Sequence, residues 1–147
     1  MDPTEPYVRW SPLFSIKVPY IDQQHQQLIQ IANDFFERMQ TEPLAAAATD
    51  VLNRLIRYAE RHFQDEEELW QAAQVPAEQL ATHRQRHTQL VEDVFNLHQQ
   101  LVAGQSASRE AIEAFLNGWI VRHILDEDQR LARYCAELTN FRPGRFT

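Results

Sequence analysis

Apolar residues return at three- and four-residue steps along most of the chain. From Asp22 onward His25, Leu28, Ile29, Ala32, Phe35, Phe36 and Met39 share one helical face, which predicts a first helix from an N-cap at Asp22 to about Gln40. A second stripe runs through Leu52, Leu55, Ile56, Ala59, His62, Phe63, Glu66, Leu69, Trp70 and Ala73, with Pro43 suited to the first turn of that helix. Pro76 opens a third segment in the same way. Its inward positions are Leu80, His83, His87, Leu90, Val91, Val94, His98 and Leu101, and Gly104 is placed to stop it after Ala103. Ile112, Phe115, Leu116, Trp119, Ile120, His123, Ile124, Leu131, Cys135 and Leu138 mark a fourth helix, and Pro143-Gly144 follows it.

Before the first stripe, Pro3, Pro6, Pro12 and Pro19 interleave with Tyr7, Trp10, Phe14 and Tyr20, a pattern suited to an extended arm rather than a helix. The expected organisation is an arm over 1–21 packing on a helical body over 22–140, with a tail over 141–147. Short turns bring consecutive helices back alongside one another, so the predicted fold is all-α, an up-down-up-down antiparallel four-helix bundle. Gly118 costs its helix about 1 kcal/mol relative to alanine. It reads either as room made for a neighbour or as a tolerated surface glycine. Glycine-rich phosphate loops, strand-like alternation and internal repeats are absent from the sequence.

Composition narrows the function classes. A chain of 147 residues with mean hydropathy -0.52 suits one domain. No apolar run approaches the roughly 18 residues of a membrane helix, and Met1 to Trp10 is unlike a signal peptide. A soluble, cytoplasmic protein is expected. The formal net charge of -7 disfavours nucleic acid and anionic membrane as partners. The single cysteine, Cys135, excludes an intrachain disulfide and a cysteine-rich zinc site.

Six histidines are the unusual feature. His62 and Glu66 stand four apart in the second helix, His83 and His87 four apart in the third, so each pair projects from one face. Both pairs interrupt apolar stripes, where a polar group needs a partner or a metal. With about 1.5 Å of rise per residue, these pairs and the pair His123 and Asp128 of the fourth helix overlap in one level of the bundle. His25, near the start of the first helix, fits that level most loosely. His98 falls about 16 Å along the axis from His87 and is excluded as a ligand. Five histidines and two carboxylates exceed the ligand count of one ion but suit two ions bridged by Glu66 and Asp128. The histidines then divide as three and two, leaving an open position on the second ion. Nitrogen and oxygen donors without thiolate favour a non-haem di-iron centre.

These residues resemble the hemerythrin family, most closely its single-domain bacteriohemerythrins. The matching pieces are Ile21-Asp22-Gln23-Gln24-His25, His62-Phe63 with Glu66, His83 with His87, and Trp119 with His123-Ile124 and Asp128, together with Trp10-Ser11 in the arm. The resemblance spans nearly the whole chain. It implies two iron ions with an oxo or hydroxo bridge. One ion would be held by His83, His87 and His123, the other by His25 and His62, with Glu66 and Asp128 bridging. Asp128 comes from the resemblance, because five residues after His123 is an offset of about 140° on a straight helix, and geometry alone prefers Glu127. A local widening of the fourth helix would reconcile the two. Trp119 and Ile120 match positions lining the family's oxygen pocket, and Phe63, Ile124 and Trp70 are expected to line it too. Trp70 and Val75 stand where many members carry methionine and tyrosine.

The implied activity is reversible O2 binding by a carrier, store or delivery protein rather than an enzyme, with O2 bound at the ion beside His25 and His62. Two readings from other classes remain open. One is an oxygen or redox sensor acting through a signalling or oxygen-consuming partner protein. The other is a di-iron enzyme handling peroxide or nitric oxide. The Glu-x-x-His pairs of oxygen-activating, carboxylate-rich bundles are absent from the sequence, which favours binding over activation.

Overall fold

The computed structural model describes residues 8–144. Of the expected arm, residues 1–7 including Tyr7 lie outside the described residues, as do 145–147 of the tail. Helix α1 spans Pro19–Arg38, α2 Leu44–Ala72, α3 Ala77–Val102 and α4 Arg109–Val121. The fourth helix continues as a π-helical stretch over Arg122–Asp128, a last α-helical turn, α5, over Gln129–Leu131, and a 3-10 turn over Ala132–Cys135. The architecture is the expected four-helix bundle, with α2 packed along both α1 and α3, and α4 against α1. There is no strand, and no helix long and apolar enough to cross a membrane, among the described residues.

The helix ends follow local chemistry, with two departures from the sequence expectation. Pro19, whose ring fixes φ and whose missing N–H costs nothing at a first position, starts α1 ahead of Asp22. Asp22 is therefore not the N-cap. Its carboxylate instead accepts from the Ser15 hydroxyl at 2.6 Å and the Ile16 N–H at 2.9 Å, fixing the chain that enters the helix. Pro43 and Pro76 are caps with extended ψ rather than first-turn residues. Gly104, at φ 85, ends α3 in the left-handed conformation that glycine adopts without strain. At Gly118 an added Cβ would meet nothing within 4 Å, which favours the second of its two readings, a tolerated glycine.

The described part of the arm is tied to the bundle at two places. Val8 exchanges two backbone hydrogen bonds of 2.9 Å with the Asn33 side chain, and the Gln129 amide donates to the Ser15 and Leu13 carbonyls. Trp10 and Phe14 pack edge to face on the main core. That core, centred on Leu28, Phe35, Leu52, Leu55, Ile112 and Leu116, is distinct from a smaller one built from Ile16, Val18, Ile21, Leu69, Trp70, Val75, Leu131 and Cys135. On α2 the residues between the two cores are His62, Asp65 and Glu66, all fully buried. A polar layer thus crosses the bundle between two apolar ones.

Candidate metal centre

Each helix contributes to this layer. His25 comes from α1, His62 and Glu66 from α2, His83 and His87 from α3, and His123 and Asp128 from the π-helical stretch. His25, His62, Glu66, His123 and Asp128 are 0% exposed, and His83 and His87 only 5% and 3%. The π-helical widening answers the angular problem posed by Asp128. An i→i+5 turn places a residue five positions on above its partner, and Asp128 Oδ2 lies 3.1 Å from His123 Nε2. Glu127 falls on the outer side of the same ring, 3.9 Å from Nδ1.

Glu66 sits at the centre. Its Oε2 faces His25 Nε2 and His62 Nε2, both at 3.3 Å, and its Oε1 faces His87 Nε2 at 3.3 Å and His123 Nε2 at 3.2 Å. Asp128 faces His83 with Oδ1 at 3.2 Å and His25 with Oδ2 at 2.7 Å. The donor atoms form two overlapping groups within 4.8 Å. One comprises His25, His62, Glu66, His123 and Asp128, the other Glu66, His83, His87 and Asp128. His123 lies 3.1 Å from His62 of its own group, ring nitrogen to ring nitrogen, and shares Glu66 Oε1 with His87 of the other.

The contacts are close, yet many are not hydrogen bonds. Glu66 Oε1, His83 Nε2, His87 Nε2 and both Asp128 oxygens are buried without a hydrogen-bond partner. Leaving such an atom unsatisfied costs about 1–3 kcal/mol each. Lone pairs that converge without pairing are the arrangement of ligands around cations, and the donor set of imidazoles and carboxylates suits iron.

The charges of the donors are coupled. Burial pushes the His62 imidazolium down to about 4, so that ring is neutral. Burial also opposes charge on His25, His87 and His123, but the adjoining carboxylates outweigh it and raise all three, His123 well above the ordinary value. Glu66 is held well below its ordinary value against burial, by His62 and His123, and Asp128 is lowered to about 2 despite burial and the Glu66 charge, with His123 as its counter-charge.

Sequence reasoning missed the groups behind the histidines. His62 Nδ1–H donates to Gln24 Oε1 at 2.7 Å, and Gln24 Nε2 donates to Asp65 Oδ2 at 2.6 Å. The Tyr20 hydroxyl donates to the same oxygen at 3.3 Å. This chain fixes the tautomer that aims His62 Nε2 inward. On the other side His87 Nδ1 donates to Glu67 Oε2 at 3.1 Å, and Arg84 binds the other Glu67 oxygen at 3.0 Å. The available signal was the alternation of buried and exposed sides that the α2 stripe would impose on the acidic run at Asp65 to Glu68.

Phe63 stacks on His87 with centroids 3.9 Å apart, and lies 4.8 Å from His123. Trp119, Ile120 and Ile124 are buried in the same main core, and Trp119 donates its indole N–H to the Leu90 carbonyl at 2.9 Å. Trp70 is elsewhere. It packs in the smaller core, edge-on to His83 at 5.5 Å, so it does not share a wall with the other four residues expected beside it. The reason is axial: Trp70 lies two turns beyond Phe63 on α2, on the far side of Glu66. His98 is half-buried and belongs to neither donor group.

The model of the hemerythrin HHE cation binding domain matches residues 17–135, the span that contains all seven donors. The chain belongs to the hemerythrin family. The chain is similar to the bacteriohemerythrin of Stenotrophomonas maltophilia, 31% identical over 123 residues covering 84% of this chain and 78% of that one. The bacteriohemerythrin of Clostridium acetobutylicum is 29% identical, covering 82% and 95%, and the myohemerythrin of Theromyzon tessulatum 27%, covering 84% and 89%. A solved structure of a hemerythrin point variant, with tyrosine in place of a leucine, superposes with a TM-score of 0.76 at 24% identity, covering 88% of this chain and 97% of that one. This likeness shows the four-helix fold.

Proposed function

We propose that the seven buried donors hold two iron ions and that the chain binds O2 reversibly, as an oxygen carrier or store rather than an enzyme. The observation that carries this reading is the convergence of five buried imidazoles and two buried carboxylates, among which Glu66 Oε1, His83 Nε2, His87 Nε2 and both Asp128 oxygens lack hydrogen-bond partners. The names of the bacteriohemerythrin and myohemerythrin relatives support it. His25 and His62 hold one ion, His83, His87 and His123 the other, and Glu66 and Asp128 span both. The separation of the Glu66 contacts, Oε2 to His25 and His62 and Oε1 to His87 and His123, supports that division. Ferrous ions in this site would supply the electrons that hold O2.

The protein's own residues do the rest. Gln24 orients His62, and Glu67 orients His87. Phe63, Trp119, Ile120 and Ile124 make an apolar wall that keeps water, and the protons it delivers, from the donor layer. Neutral imidazoles outnumber carboxylates, so highly oxidised iron receives less anionic stabilisation than in carboxylate-rich sites. Repeated removal and readmission of O2 to the reduced protein tests the reading. A carrier returns to the same two spectra in every cycle, and continuous net consumption of O2 and reductant contradicts it.

A further inference from the structure

The outer face of the α1–α2 pair carries a cavity of about 700 Å3, within the range of roughly 300–1,000 Å3 typical of small-molecule sites. Arg54, Arg57 and Arg61 of α2 line it, and no Asp or Glu does. This is a local reversal of charge in a chain with 21 acidic and 14 basic residues. The three arginines recur on one helix face over about 10 Å of axis and concentrate positive charge there. Arg54 is partly engaged by Asp34. Arg57 is exposed and pairs with no carboxylate among the described residues.

Two aromatic rings share the cavity. Tyr20 and Tyr58 line it and are half-buried, which limits their freedom to move. Burial pushes the Tyr58 hydroxyl up to about 12, which keeps it a neutral hydrogen-bond donor beside an anion. Guanidinium groups recognise phosphate oxygens bidentately, and tyrosine rings accept a planar heterocycle by stacking. The arginines and Tyr58 take no part in the metal centre, whereas the Tyr20 hydroxyl holds Asp65 behind it.

We propose that this groove binds a nucleotide-class organic phosphate, its phosphates on Arg54, Arg57 and Arg61 and its base against Tyr58 and Tyr20. The groove is also lined by Gln24, the residue whose Oε1 receives the His62 N–H. An occupant that draws on Gln24 or on the Tyr20 hydroxyl shifts their shared anchor at Asp65, and with it the orientation of His62. That consequence rests on the ligand role proposed for His62, whereas binding in the groove does not.

Isothermal titration of the purified protein with ATP, and separately with pyrophosphate, tests the site at physiological ionic strength. The expected result is saturable binding of one ATP per chain, weakened about tenfold or more by Arg57→Glu. Arg133→Glu, an exposed arginine outside the groove, leaves the affinity unchanged, and pyrophosphate binds more weakly than ATP. Absence of saturable ATP binding overturns the proposal, as does an equal loss in Arg133→Glu, which would mark general charge attraction. Equal affinity for pyrophosphate overturns the nucleotide assignment. In 15N spectra the Gln24 side-chain amide shifts on ATP addition, and an unmoved amide overturns the link to His62. Iron content is measured on the same samples, so a failed metal assignment and a failed groove are told apart.

Discussion

His62 and His87 both lie in apolar stripes and both meet Glu66, yet what stands behind them differs. His62 is fully buried and donates to the buried Gln24, which the fully buried Asp65 holds. His87 donates to Glu67, a half-buried carboxylate that also holds the exposed Arg84. In the proposed assignment the His62 side carries the ion with an open position, and the His87 side carries the ion with three histidines. A coordinatively open ion reacts with whatever reaches it, so its ligands need a rigid support. A filled coordination shell tolerates a support at the protein surface.

The largest effect expected is from Glu66, which serves both sides. Glu66→Ala removes the one carboxylate within 3.3 Å of four histidines and should lower metal affinity by about 100-fold or more, measured by competition with a chelator. Retention of full metal content would show that the two sides do not share it. The next comparison separates the supports. Gln24→Leu should cost about 10- to 100-fold in metal affinity or O2 binding. Glu67→Gln should cost less than about fivefold, as suits a partly solvated charge pair. Equal losses would erase the distinction between a side supported by a buried carboxylate and one supported by a half-buried carboxylate.

The smallest effect concerns protons. His25, His87 and His123 are raised from 6.5 in the metal-free site, whereas His62 is lowered to about 4. A raised group is more fully protonated near neutral pH, and a metal ligand must be neutral. Loading near pH 7 should therefore release about one proton or more per chain, and affinity should rise with pH. The His62 ring contributes nothing to that release. Calorimetry in buffers of different ionisation enthalpy measures it, and loading without proton release contradicts the charge states described.

The first three helices were legible because their stripes keep a regular period between prolines that can only begin helices, as at Pro43 and Pro76. Six of the seven donors were legible for the same reason: each is a polar residue at an inward position. Asp128 was not, because reading it requires knowing that the helix widens after Arg122, and only the family resemblance supplied it. Asp22 shows the opposite error, since a good capping residue was overruled by Pro19 three positions earlier. Gln24 and Asp65 stayed hidden among polar neighbours that do face solvent, and their role depends on a contact between α1 and α2 that no single-helix pattern contains. Trp70 packs in a different apolar layer from Phe63, Trp119, Ile120 and Ile124, a separation the sequence did not show because helical periodicity gives the face of a residue but not which layer along the axis it joins.

Iron analysis combined with anaerobic reduction and re-exposure to O2 tests the central claim most directly. The account predicts about two irons per chain and an absorption band that appears with O2 and vanishes on its removal. Far less iron than that, or two irons with no O2-dependent band, would contradict it.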